Sequence, residues 1–414
     1  MRILQVFNHY RAPGGEATVV KNEAELLRRG GHEVHCLAVH NADLKSGLVS
    51  GLRTGMEAVW SKSGFAAMKA AIRQFSPDVV HVHNTFPILS PSVYWASAQA
   101  GIPVVKTLHN YRLTCASAML SREGRPCEEC VGRYPLPALR YRCYNNSFAQ
   151  TLAVDLRNVM HRWLGTYANK IDAYIVLTEF ARQIMMRAGL PHELLFVKPN
   201  FTFDRVPFVG PREQQIVFVG RIMREKGVAN LLEAWHSAGF GNARLLLIGD
   251  GPERAVLEAM YASDPTITWA GILPHKETLA LVERSRFLVL PSLVYEGMPM
   301  TVLEALCCGT PAIVPSHGVF PELISDRKDG FTFSTAQSLV NALRTAVSCS
   351  ESEWRCLSST ARYTYTTRFS ESCNYERLIE IYKQAAQKKE ATKTQACDLG
   401  KQMKRGRSEN SSLI

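Results

Sequence analysis

The chain has no run of about 18 or more apolar residues, the length a membrane-crossing helix needs, so no span is expected. A secretory leader is not expected either. The first apolar stretch, Ile3 to Phe7, is short, holds Gln5 and runs into a Gly-rich turn. Neither Gly-x-Gly-x-x-Gly nor Asp-x-Asp occurs, which removes a common dinucleotide fingerprint and a common paired-carboxylate metal motif. No short internal repeat argues for a solenoid. Eleven cysteines in 414 residues are too sparse for a disulfide-stapled mini-protein. Most, such as Cys307 and Cys308 in an apolar helical stretch, read as small hydrophobes of a reduced cytosol.

What is present is globular. Hydrophobic residues make up 46% and charged residues 21%. The length exceeds one ordinary core, so two domains are expected. The net charge of +11 is uneven. Residues 388–407 hold seven lysines and arginines against Glu390 and Asp398, in a Ser/Gln/Lys-rich stretch with almost no core formers. Residues 388–414 therefore read as a disordered basic tail, either solvated or drawn to anionic headgroups.

Short apolar runs alternate with amphipathic helices. "RILQVFN", "HEVHCLAV", "PDVVHVHN", "IPVVKTLHN" and "IDAYIVLTE" each end in polar residues, as strands of a parallel sheet do. The pattern pauses at the Pro-rich, polar segment 198–215 and resumes with "QIVFVGR", "ARLLLIGDGPE", "TITWAGI", "FLVLPS" and "TPAIVPS". The fold class is α/β: two Rossmann-like, doubly wound domains, 1–200 and 214–370, facing an interdomain cleft. A helix over 371–387 packs back across them. Ligands of such sheets bind beyond the carboxyl ends of the strands, which directs attention to the polar residues there.

Gly14 and Gly15 follow the first strand and open a helix, an arrangement that suits a phosphate, though a lone Gly-Gly also makes ordinary turns. "GDGP" (249–252) is another common strand–helix turn. Arg221 and Lys226 stand at the end of the second domain's first strand as a candidate diphosphate clamp. His109 ends its strand and can either satisfy the core or hydrogen-bond a ligand. His81 and His83 share one strand face but have no third ligand at metal-binding spacing. Glu296 and Glu304 flank "GMPMTVL". Pro299 suits a helix first turn, and eight helical residues span about 12 Å. Paired glycosidase carboxylates stand roughly 5 to 9.5 Å apart, so these two fit separate contacts along an extended ligand.

Together "GGE", "PDVVHVHN", "LHN", "VGRIMREKG", "GDGPE" and "EGMPMTVLEALCCGTPAIV" resemble glycosyltransferase family 4, retaining enzymes of the GT-B fold. The resemblance covers about residues 1–387. It implies that Arg221 and Lys226 hold the diphosphate of a sugar nucleotide. Glu296 lies near the sugar with the amides of Gly297, Met298, Pro299 and Met300 around it, Pro299 itself lacking an amide hydrogen. Glu304 accepts from the ribose, His109 contacts the sugar, and Gly14 and Gly15 approach the phosphate from the first domain. The implied reaction moves a hexosyl group from a UDP- or GDP-sugar to a hydroxyl of a glycan or lipid-linked acceptor. Its expected setting is cell-surface polysaccharide synthesis, in the cytoplasm or at the inner membrane face. Catalysis is expected to need no metal or other cofactor. One departure is "SHGVFPELI", where His317 replaces the first glycine of the family's usual turn.

Cys115, Cys127, Cys130 and Cys143 lie in an insertion, 115–143, that other family members resemble. They fit a structural zinc knot, or else free thiols or a disulfide. The stretch 51–75 mixes Trp60, Phe65 and Met68 with basic residues, and either rests on a membrane or packs on its own domain. Two alternatives share parts of this reading. A sugar-nucleotide epimerase needs the same donor site and no acceptor. A basic zinc protein binding nucleic acid is disfavoured by the two doubly wound halves, and no nucleic-acid partner is expected.

Overall fold

The computed structural model describes residues 1–9, 15–41, 48–206, 208 and 210–411, with backbone alone for 48–53 and 395–411. The first lobe is built on β1 (Arg2–His9), β2 (Glu33–His40), β3 (Val79–Val82) and β4 (Val104–Leu108). A small antiparallel hairpin, β5 (Ser121–Arg122) and β6 (Arg125–Pro126), stands apart in the cysteine insertion. β7 (Ala173–Val176) and β8 (Leu195–Val197) complete the main sheet. Its order is β2-β1-β3-β4-β7-β8, and its strand pairs are parallel. β3, β4 and β7 are buried along their whole length, which is why their sequences are mostly apolar rather than alternating, with His81, Lys106 and Thr107 as the polar exceptions.

The second lobe holds β9 (Glu213–Val219), β10 (Arg244–Ile248), β11 (Ile267–Gly271), β12 (Ser285–Val289), β13 (Ala312–Pro315) and β14 (Gly330–Phe333). The order β11-β10-β9-β12-β13-β14 is the 3-2-1-4-5-6 arrangement of a Rossmann fold. The order reverses between β9 and β12 here, and between β1 and β3 in the first lobe. Each reversal leaves a crevice at the strands' carboxyl ends, because the flanking helices turn away to opposite faces. Gly220, Arg221 and the loop 290–299 stand at the crevice of the second lobe. The helix Gly15–Arg29 begins at that of the first.

Each lobe has its own core. Trp235, Phe218, Phe287 and Phe320 anchor the second, and Tyr94, Tyr174 and Met68 the first. The helix Glu371–Ser411 leaves the second lobe and lays Leu378, Ile381, Tyr382 and Ala385 against Ile3, Val79 and Val105 of the first. The expected disorder of 388–414 is corrected as far as Ser411, where the backbone is helical. Lys, Glu, Gln and Ala are good helix formers, and Lys389 docks on Asp172 at 3.3 Å. Residues 412–414 and Gly14 lie outside the described residues. In the stretch 51–75, Met68, Ile72 and Phe75 are buried, so its second helix packs on its own lobe. Among the described residues no helix is long and apolar enough to cross a membrane.

Candidate active site

Lys226 ends a short turn after β9, and Glu296 lies in the loop after β12. Their side chains meet with Lys226 Nζ 2.6 Å from Glu296 Oε1, and Ser292 Oγ donates to the same oxygen at 2.5 Å. Both charged groups are half-buried, so the pair is reachable by a ligand. Arg221 follows β9 by two residues, is exposed and makes no ion pair among the described residues. Its backbone is nevertheless fixed. A Cβ on Gly249 would stand 1.9 Å from the Gly220 carbonyl, and one on Gly251 2.2 Å from that of Ile222. Only glycines let "GDGP" lie that close, so this turn shapes the Arg221 loop rather than holding a ligand by itself.

The same loop meets the other lobe. A Cβ on Gly297 would stand 2.4 Å from the carbonyl oxygen of His109. Tyr111 Oη donates to the Glu296 carbonyl at 3.2 Å. The side chain of Met300 lies 3.5 Å from where a Cβ on Gly15 would be. Met298 is turned inward, and its sulfur accepts the Asn200 N–H at 3.1 Å, so its side chain serves the link between lobes. Pro299 stands one residue before the helix Met300–Cys307, at its cap rather than in its first turn. Glu322, in the "PE" after His317, accepts the amides of Glu179 and Phe180 at 2.7 and 2.6 Å. That carboxylate from one lobe caps a helix of the other. His317 lies against Tyr295 and Phe320, and burial lowers its pKa.

Glu304 is buried within its helix, and His275 Nε2 lies 2.8 Å from its Oε1. That bond raises the pKa of His275. His275 is exposed, so the ribose expected at Glu304 would compete with a solvent-facing partner.

On the first lobe's side, His109 Nε2 lies 3.0 Å from His83 Nδ1. His83 Nε2 in turn lies 3.4 Å from Glu23 Oε1, and His81 Nδ1 3.0 Å from the same oxygen. Lys198 Nζ reaches the other carboxylate oxygen at 3.1 Å. Burial opposes charge on Glu23, but Lys198 and the histidines outweigh it and hold the carboxyl well below its usual range. An ionised Glu23 3.4 Å away favours the His83 tautomer that carries its proton on Nε2, whose Nδ1 then accepts from His109 Nε2. His109 then keeps a bare Nδ1. Burial, aided by His83 and Lys106, holds His109 well below its usual pKa and so neutral. Glu23, His81 and His83 bring donor atoms within 4.8 Å of one another, yet the Lys198 ammonium already supplies the positive charge there. Nearby, burial pushes Glu16 up and Lys106 down, each to about 7.

The four insertion cysteines line one small cavity with Leu120, Arg122 and Ala138. Burial pushes the Cys130 thiol up to about 12 and Cys143 to about 11. The donor set has the number and type zinc takes, but the spacing differs. Among the described residues no three of these thiols lie within 4.8 Å of one another, so a zinc ion would have to draw them together. The insertion also reaches the second lobe: a Cβ on Gly124 would stand 2.9 Å from Arg224 Nε.

Against this geometry, two family models match in tandem. "Glycosyltransferase Family 4" spans residues 13–202 and "Glycosyl transferases group 1" residues 202–363. The chain belongs to glycosyltransferase family 4. It is 25% identical to an alpha-monoglucosyldiacylglycerol synthase of Acholeplasma laidlawii, over 80% of this chain and 83% of that one. It is 26% identical to a GDP-mannose-dependent alpha-(1-6)-phosphatidylinositol dimannoside mannosyltransferase of Mycobacterium tuberculosis, over 84% and 88%. Anabaena Alr3699/HepE in complex with UDP-glucose superposes with a TM-score of 0.62 at 15% identity, over 92% of this chain and 99% of that one. The two-lobed architecture of this glycosyltransferase is GT-B.

The sequence reading paired Lys226 with Glu296 only through their motifs. It missed the Glu23–His83 support of His109, because Glu23 lies on a helix 60 residues before His83. The strand alternation of His81 and His83 was the visible half of that signal. Tyr111, Ser292 and His275 carried no motif at all.

Proposed function

We propose that this glycosyltransferase transfers a hexosyl group with retention from a UDP- or GDP-sugar to a hydroxyl of a lipid-linked or glycan acceptor. The supporting observation is the half-buried Lys226–Glu296 pair at the β9/β12 crevice, with Gly297 against His109. A relative named for a diacylglycerol glucoside and one named for a GDP-mannose-dependent lipid mannosylation favour lipid-linked acceptors, and the second a GDP-sugar donor.

The diphosphate would sit between Lys226, Arg221 and the start of the helix Met300–Cys307. Arg221 is free to swing in, and Lys226 exchanges part of its hold on Glu296 for phosphate oxygens. Glu296 then turns to sugar hydroxyls. As the bond from C1 to the phosphate oxygen breaks, the growing negative charge is met by the two cations and the helix N-terminus. The acceptor oxygen attacks C1 from the same face. Its proton passes to the departing phosphate oxygen, so a new glycosidic bond, a nucleoside diphosphate and no net charge imbalance result. His109, neutral and with one tautomer fixed, accepts a sugar hydroxyl proton at Nδ1. No residue needs to bear a covalent sugar.

The test is a binding panel of nucleotide sugars followed by product analysis. A donor should raise the melting temperature, and the product should keep the donor's anomeric configuration by proton NMR. An inverted product would overturn the retaining mechanism, and an epimerised free nucleotide sugar would overturn the transfer. A structural zinc among Cys115, Cys127, Cys130 and Cys143 belongs to the same proposal. Purified chain without stoichiometric zinc, by elemental analysis after growth in zinc, would remove it.

A further inference from the structure

The helix Phe148–Trp163 buries Asp155, Arg157, Asn158 and His161 and turns apolar residues outward. Its inner face, with Thr151, Val154, Asn158 and His161, is buried. Its outer face would ordinarily be polar. Instead Phe148 is 54% exposed, Leu152 42%, Leu156 53% and Trp163 85%. At about 100° per residue these four fall within roughly 80° of arc, so they form one stripe. The short helix Leu136–Arg140 of the cysteine insertion packs alongside and adds exposed Tyr134 and Leu136. Scattered exposed apolar residues are normal, but a continuous stripe is not.

The charge around the stripe is mainly positive. Arg140, Arg142 and Arg162 are exposed. The only acidic residue between 131 and 170 is Asp155, which is buried. Aromatic and aliphatic side chains interleaved with arginines match an anionic bilayer surface, and the exposed acid at the edge, Glu129, is neutralised by Arg122 at 2.6 Å. A symmetric contact with a second copy would bring the same arginines face to face, which is unfavourable.

We propose that this face of the first lobe docks on anionic lipid, with the Phe148–Trp163 stripe entering the headgroup region and the arginines meeting phosphates. The stripe is argued from exposure and charge alone. It rests on the transferase reading only for its purpose, which is to hold the cleft beside a lipid-linked acceptor. The link to the cleft is short: Asn158 Nδ2 on the inner face donates to the Arg112 carbonyl at 2.7 Å, three residues after His109.

The experiment is sedimentation of the full chain with phosphatidylcholine vesicles, with and without about 30% phosphatidylglycerol. Binding to the anionic vesicles should be about tenfold tighter, and weaken in about 0.5 M salt. Leu156→Glu with Trp163→Glu should lower binding about tenfold or more, because a charged side chain resists entry into the interface. Arg140→Ala with Arg142→Ala should remove the anionic preference while leaving weak general binding. Circular dichroism and the nucleotide-sugar melting shift, measured on the same variants, should match the parent and so report an intact fold and donor site. Unchanged vesicle binding in both double variants would overturn the proposal and assign any lipid affinity to the basic C-terminal helix. A lipid-free dimer split by Leu156→Glu would overturn it in favour of a protein interface. Vesicle binding without any donor shift would instead sink the transferase reading and leave this one standing.

Discussion

The two lobes carry their charges in opposite ways. In the first, Glu23, His81, His83 and Lys198 are each nearly fully buried and lie against one another, with Lys198 bonded to Glu23. In the second, Arg221 is exposed without an ion pair among the described residues, and the Lys226–Glu296 pair is half-open. Buried charges must be paired at all times, because desolvation makes a lone one costly. Half-open charges can change partners, because water covers the exchange. The first cluster therefore fixes the shape around His109, and the second is free to trade its internal contacts for a ligand's.

That contrast can be broken most severely at Glu23. Glu23→Ala strands Lys198 in the core and should cost about 3–5 kcal/mol in urea unfolding. A double variant with Lys198→Met should recover much of this. If Glu23→Ala unfolds at the parent's midpoint, the cluster is not the structural element described. Lys226→Ala should do the reverse. Its unfolding midpoint should barely move, while donor affinity by calorimetry falls by about 1.5–3 kcal/mol, the range for charged hydrogen bonds. Equal donor affinity would remove Lys226 from the clamp.

Gly297→Ala sharpens the boundary between the two. The added methyl would meet the His109 carbonyl, so either the loop or the lobes must shift, at a cost of about 1–3 kcal/mol. The expected result is a fall in turnover with donor affinity largely kept, and a larger radius of gyration by solution scattering. The smallest effect is at His275. Its pKa stands above the usual 6.5, so its bond to Glu304 contributes fully below about that pH and fades as the pH rises through the raised value. A pH series of melting temperatures should show this slight fall in the parent and not in His275→Ala.

The legible part of the fold was the part written locally. Val- and Ile-rich strands ending in polar residues gave both sheets, because a parallel strand buried on two faces must be apolar throughout. Lys226, Glu296 and Gly297 stand out in the sequence because each lies in a local strand-end motif, although the Lys226–Glu296 contact joins two such motifs 70 residues apart. The Glu23–His83–His109 chain was not, since it joins a helix to two strands by packing alone. The helical continuation to Ser411 was missed because low hydrophobicity was weighed above the helix propensity of Lys, Glu, Gln and Ala. The apolar stripe on Phe148–Trp163 was hidden for another reason. Its helix buries Asp155, Arg157, Asn158 and His161 and exposes Phe148, Leu152 and Leu156, the reverse of the order that hydropathy periodicity assumes.

The chain crosses between the lobes twice, once near residues 198–212 and once near 368–371, and the two crossings are tied together. Asn374 bridges Lys198 and the Pro199 carbonyl, and Tyr365 Oη holds the Thr202 carbonyl at 2.9 Å. Two adjacent straps act like the pins of a door. They permit swing about one line and resist sliding or twisting, so whatever closes the cleft must arrive along that single arc.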